Sequence, residues 1–177
     1  PQKDFNLRYV SSPIDAMQML ILRRADHALL AEPAISIALR KTGSFPVKLI
    51  APDLYRSINL QEEWGRLYKI EAKIPQAGLA IIGDTNGKEE LISKVLAEYD
   101  KSLAWYKNNK EEASKLVVKT LPMLEEKGLA DSIEYVRFEN ISAIKSKKDL
   151  EFFFDILMQN DSKLIGGKLP NEDFYYK

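Results

Sequence analysis

The stretch Asp26-His27-Ala28-Leu29-Leu30-Ala31-Glu32-Pro33 decides the reading of the fold. Ala28 to Ala31 form an uninterrupted apolar run, the pattern of a short strand buried on both faces. Pro33 suits the first position of a helix, where its missing N–H would have had no partner. The spacing therefore places Glu32 at the carboxyl end of a strand and beside a helix N-terminus. In open α/β sheets ligands collect along that rim, and a carboxylate next to free N–H groups is electrostatically favoured. A carboxylate in this position serves either as a ligand group or as the cap of its own helix.

Outward from this stretch, strand and helix signals alternate. Asn6 to Val10 alternates as a strand does, and Ser12-Pro13-Ile14-Asp15 matches a capping box with proline at the first helical position. Ile14, Met17, Leu20 and Ile21 give that helix an apolar face as far as Arg24, so the strand at Ala28–Ala31 completes a strand–helix–strand unit. Ala34 to Thr42 reads as a helix stopped by Gly43, and Phe45 to Ile50 as a further strand closed by Ala51-Pro52-Asp53. Leu60 to Tyr68 is a short helix with Leu60, Trp64 and Leu67 on one side, and Trp64 is assigned to the core.

The β-branched run Leu79-Ala80-Ile81-Ile82 predicts another strand, ended by Gly83-Asp84-Thr85-Asn86-Gly87. Helices dominate after it. Leu91, Ile92, Val95, Leu96, Tyr99, Leu103 and Tyr106 line one face of a long helix over Lys88–Tyr106, Asn108-Asn109 breaks it, and a second helix runs from Lys110 to Leu121 before Pro122. Ile133 to Phe138 alternates weakly, and Leu150 to Met158 is an aromatic-rich helix whose Phe152-Phe153-Phe154 reads as a core plug.

Composition narrows the chemistry. The 177 residues are 45% hydrophobic and 29% charged, which fits a globular chain rather than a disordered one. Lys+Arg and Asp+Glu each number 26 and are interspersed, so no basic patch calls for nucleic acid. No apolar stretch approaches the roughly 20 residues that span a bilayer, and the chain opens Pro1-Gln2-Lys3-Asp4 without a charged-then-apolar leader. With no cysteine, disulfides, Cys-ligated zinc and thiol catalysis are excluded. His27 is the only histidine, so a Ser-His-Asp relay could run through it alone and a metal site would be nearly all carboxylate. Neither metal nor cofactor is expected. Gly166-Gly167 lacks the strand-before, helix-after setting of a phosphate loop and reads as a turn. Ser11 and Ser12 place hydroxyls at a helix start, where they either cap the helix or help hold an anionic or polar ligand.

Four segments in order carry a family resemblance: Tyr9-Val10-Ser11-Ser12-Pro13 before a helix, Ala25 to Pro33, Ile74-Pro75-Gln76-Ala77-Gly78-Leu79, and Gly166-Gly167-Lys168-Leu169-Pro170 with Phe174-Tyr175-Tyr176. Over essentially its whole length the chain resembles the solute-binding proteins of ABC importers, of the nitrate/sulfonate/taurine and thiamine-pyrimidine-precursor group. The resemblance implies an α/β, type II periplasmic-binding-protein-like fold, two α/β lobes joined by a hinge with solute held between them. Residues 1–75 then correspond to the later part of the second lobe, and 76–177 to the hinge strand followed by the helical end of the first. Members of that family begin with an earlier stretch that has no counterpart here, so the chain resembles a C-terminal portion.

The resemblance carries over Glu32 with Pro33, Ser11 with Ser12, and Gln76 with Gly78 as ligand-lining residues. It implies a non-enzymatic module that captures a small polar or anionic organic solute and presents it to an ABC permease, in a periplasmic or other extracytoplasmic location. The same scaffold also serves enzymes of thiamine-pyrimidine or menaquinone-precursor synthesis, where His27 and Glu32 would act, and effector-sensing domains of transcription regulators. With the opening strands of the first lobe absent, uncovered strand edges and apolar patches are expected to drive self-association.

Overall fold

The computed structural model describes residues 6–176. Its architecture is helical: α1 (Pro13–Ile21), α2 (Ala34–Gly43), α3 (Leu60–Tyr68), α4 (Glu89–Asn108), α5 (Lys110–Thr120), α6 (Glu126–Ser132) and α7 (Ala143–Asn160), with single 3₁₀ turns at Val47–Leu49, Ser162–Ile165 and Glu172–Phe174. No strand occurs among the described residues. The expected α/β architecture, with its type II lobes and hinge strand, is thereby overturned.

The physical reason lies in what an apolar run needs in order to become a strand. β-Propensity describes a side chain's fit to a half-buried pleated surface, and it counts only when a neighbouring strand supplies the ladder. Here the runs meet no such surface: Leu29 is 79% exposed, Ile50 79% and Ile82 95%. Asn6–Val10, Ala28–Ala31 and Leu79–Ile82 follow unladdered backbone. The expected strand at Phe45–Ile50 instead coils locally, as Lys48, Leu49 and Ile50 donate to the carbonyls of Ser44, Pro46 and Val47.

The chain divides into two compact units, one of Pro1–Ser57 with Ala97–Phe138 and the other of Ile58–Leu96 with Glu139–Lys177. In the first, α2 packs against α1 and α6, and α6 also packs against α5. Met17, Ile37 and Ala38 form its buried centre, with Ile14, Ile21, Leu54 and Leu124 around them. Of the expected capping box at the start of α1 the N-cap half is present: Ser12 Oγ accepts from the Asp15 N–H at 3.2 Å, and the Ser12 hydroxyl donates to Asp15 Oδ2 at 2.9 Å. Glu125 caps α6 by accepting from the N–H groups of Lys127 and Gly128.

Small residues let these helices approach closely. Thr42, Ser114 and Ser132 are buried, and each hydroxyl returns to a carbonyl of its own helix, at Ala38, Lys110 and Leu129 respectively, so no polar atom is stranded. Gly128 is the tightest point: a Cβ there would lie 2.7 Å from Ile37 Cα and 2.8 Å from its Cγ1.

The second unit gathers aromatic rings. Trp64 of α3 sits 4.6 Å from Tyr68, 6.0 Å from Phe152 and 5.9 Å from Phe153 of α7, centroid to centroid. Tilted and edge-on rings are favoured in such a cluster, but Trp64, Phe153 and Phe154 are only half-buried and Phe152 is exposed, so the expected core placement is not reached. Lys69, at φ 55°, ends α3 in the left-handed region, and Gly65 lets the returning chain at Ala72 pass within contact. Gln61 Oε1 accepts from the Ile74 N–H, and Lys73 pairs with Asp149 at 2.8 Å. After α7 the 3₁₀ turn Ser162–Ile165 closes at Gly166 and Gly167, both with positive φ, the turn expected there.

Gly128→Ala is expected to destabilise the protein by about 1–3 kcal/mol, because the added methyl meets the backbone of α2 as well as a side chain that could move aside. Gly43→Ala is the control. It has nothing within 4 Å of the new Cβ and lies in the last turn of a helix, so a change within about 1 kcal/mol is expected. Urea denaturation of the two variants decides it, and equal midpoints would contradict the close α2–α6 approach.

Candidate functional site

Beside the α2–α6 contact lies an open cleft of about 400 Å³, lined by Ser36, Leu39, Arg40, Gly43 and Ser44 from α2 and its end, Arg56 from the following loop, and Asp131, Glu134 and Tyr135 from α6 and the turn after it. The spacing of Ser36, Arg40 and Ser44 puts one residue of each helical turn on the same face. The polar stripe of α2 therefore forms one wall.

Arg56 is the best-held cation in the cleft. Its Nη2 donates to Glu32 Oε1 at 2.6 Å and to Ser36 Oγ at 2.8 Å, and the guanidinium carbon lies 3.6 Å from the centroid of the Tyr135 ring. Carboxylate, hydroxyl and aromatic face thus fix a planar group from three directions. Nε and Nη1, on different edges of the guanidinium, have no partner among the described residues, which leaves charged donors for a bound oxyanion.

Glu32 stands behind this arginine. Its side chain is only 9% exposed, against 31% for Arg56. The second oxygen, Oε2, accepts from the Ser36 N–H at 3.1 Å and so caps α2. Of the two uses, the cap is realised: Glu32 caps its helix, and its other oxygen holds Arg56 rather than lining the cleft. Pro33 occupies the N-cap position, one residue before the helix starts at Ala34.

Of the other predicted site residues, Ser12 is engaged in capping α1 and Ser11 is exposed beside it; neither lines the cleft. Gln76 and Gly78 are exposed in the other unit and take no part in the cleft. His27 is exposed and also lies outside the lining. Among the described residues no cluster of His, Cys, Asp and Glu is placed to hold a metal ion.

Two further ion pairs border the cleft. Arg40 closes a fork on Asp131, Nε to Oδ2 at 2.8 Å and Nη2 to Oδ1 at 2.7 Å. The hydrogen bond that Arg40 donates to Asp131 raises its guanidinium above the ordinary value. Lys110 of α5 donates to Glu134 Oε1, and that bond likewise raises the lysine. Sequence reasoning missed Arg40, Arg56, Asp131, Glu134 and Tyr135. The four-residue spacing of Ser36, Arg40 and Ser44 was a usable signal for the α2 face, whereas Arg56 stands in a loop whose fold no local pattern dictates.

Compared with protein-family models, curated proteins and solved structures, the chain matches none.

Glu32→Ala removes a helix cap and the anchor of a partly buried arginine together, so a loss of about 1–3 kcal/mol is expected. Asp131→Asn, whose pair with Arg40 is 42% exposed on both sides, should cost less than about 1 kcal/mol. Thermal or urea unfolding ranks the two. A larger loss in Asp131→Asn would show that the Glu32–Arg56 junction does not hold this wall of the cleft.

Proposed function

We propose that this chain is the solute-binding component of an ABC-type importer, capturing a small polar or anionic organic solute and delivering it to a membrane permease without changing it chemically. The observation that carries this reading is Arg56: a preorganised guanidinium at a cleft of solute size, with two donors facing no partner among the described residues. Preorganisation matters because the entropy of ordering a long side chain is already spent before the solute arrives. In this arrangement the solute sits among helices of a single unit, and Glu32 acts as a positioning residue through Arg56. Capture for import places the protein on the outer side of the membrane it serves. Among the described residues no helix is long and apolar enough to cross a membrane.

Calorimetric titration with nitrate, short alkyl sulfonates, short carboxylates and an aminopyrimidine tests the proposal. Arg56→Gln should weaken the best of these by about 1–3 kcal/mol, the usual cost of a lost charge-assisted hydrogen bond. The solute should be recovered unaltered after incubation. Affinity indifferent to Arg56→Gln, or conversion of the solute, would overturn it.

A further inference from the structure

The charged groups around the cleft can be sorted by which of their hydrogen-bonding positions are already filled. Asp131 is filled by Arg40, which takes both carboxylate oxygens with Nε and Nη2 and keeps Nη1. Glu32 is filled by Arg56 and the Ser36 N–H. What is left among the described residues is Nε and Nη1 of Arg56 and Nη1 of Arg40 on the cationic side, and one carboxylate oxygen, Oε2 of Glu134, because Lys110 engages only Oε1. Glu134 is 61% exposed and lines the same cleft as Arg56.

The open positions are therefore of opposite sign, and the rest of the lining is neutralised pair by pair: Arg40 with Asp131, Arg56 with Glu32, Lys110 with Glu134. A solute carrying only negative charge would answer Arg56 but add an uncompensated charge beside Glu134 and Asp131. A solute with both signs answers both open groups and adds no net charge, the complementarity that favours one partner and penalises another. We infer that the solute is a zwitterion, its acidic group on Arg56 and its ammonium on Glu134. This rests on the binding reading above and narrows the solute to amino acids or amino-acid-like compounds with separated charges.

The experiment uses pairs of compounds that differ only in the amine: glycine and acetate, β-alanine and propionate, γ-aminobutyrate and butyrate, each titrated by calorimetry into the whole protein. At least one amino compound should bind roughly ten- to a hundredfold more tightly than its partner, the gain of one charge-assisted hydrogen bond. Glu134→Gln should erase that preference while leaving the weak binding of the simple acid. Lys110→Gln breaks the same surface pair from the other side but frees the second oxygen of Glu134, so it should keep or enlarge the preference; a merely structural role of the pair would make both variants behave alike. Simple acids binding as tightly as their amino partners, with both abolished in Arg56→Gln, would overturn the zwitterion inference and leave anion capture standing. Binding by none of the six overturns the inference too, and the wider anion panel then decides separately whether Arg56 binds solute at all.

Discussion

Everything in the first unit depends on how near α6 comes to α2. Their closest point is Gly128 against the backbone of Ile37, an approach that a single methyl group would prevent. That approach brings Asp131, Glu134 and Tyr135 at the end of α6 opposite Ser36, Arg40 and Ser44 on α2, and so creates the walls of the cleft. Packing is dense enough that such an approach is close to all-or-none: side chains on either side interdigitate or they do not touch. The polar site is thus a by-product of an apolar contact. Its charges line up because two helices meet at a glycine.

The electrostatics follow from that geometry. Ion pairs at a surface contribute little stability each, since water solvates both partners well and long side chains must be ordered to meet. Arg40 with Asp131 and Lys110 with Glu134 belong to that class. The Glu32–Arg56 pair differs because the carboxylate is nearly buried and also serves a backbone N–H, which makes its loss the exposure of two unsatisfied groups rather than one. A structural cap and a functional anchor are the same carboxylate here.

Much of the helical content was legible in the residues. Leu60–Tyr68 coincides with α3, and the readings at Ala34–Thr42, Lys88–Tyr106 and Lys110–Leu121 fall within two residues of α2, α4 and α5, because their apolar spacing and stop signals are local. α6 escaped notice since seven residues with a glycine among them carry too little periodicity, and the first two turns of α7 are mostly polar. The strands failed for a different reason. Ala28–Ala31 and Leu79–Ile82 have strand composition, but pairing is a long-range property and no partner strand meets them among the described residues. For the site, Glu32 could be singled out because its setting between an apolar run and a proline is written in consecutive residues. Arg56 could not, since its role arises only when a loop folds back across 24 positions.

That fold-back has a cost and a consequence. Bringing Arg56 to Glu32 closes a loop of 24 residues, an ordering that costs about 3 kcal/mol of chain entropy on an ideal-chain estimate. Ten of those positions are α2 (Ala34–Gly43), and the stretch after it holds one 3₁₀ turn at Val47–Leu49 and Leu54, which packs against the core of Met17, Ile37 and Ala38. The guanidinium contacts tie down the end of this loop together with the apolar contact of Leu54. Any ligand that grips the free donors of Arg56 while leaving Glu32, Ser36 and Tyr135 in place adds a further tether to the same loop. Solute affinity and backbone amide protection over residues 44–56 are then two readings of one equilibrium.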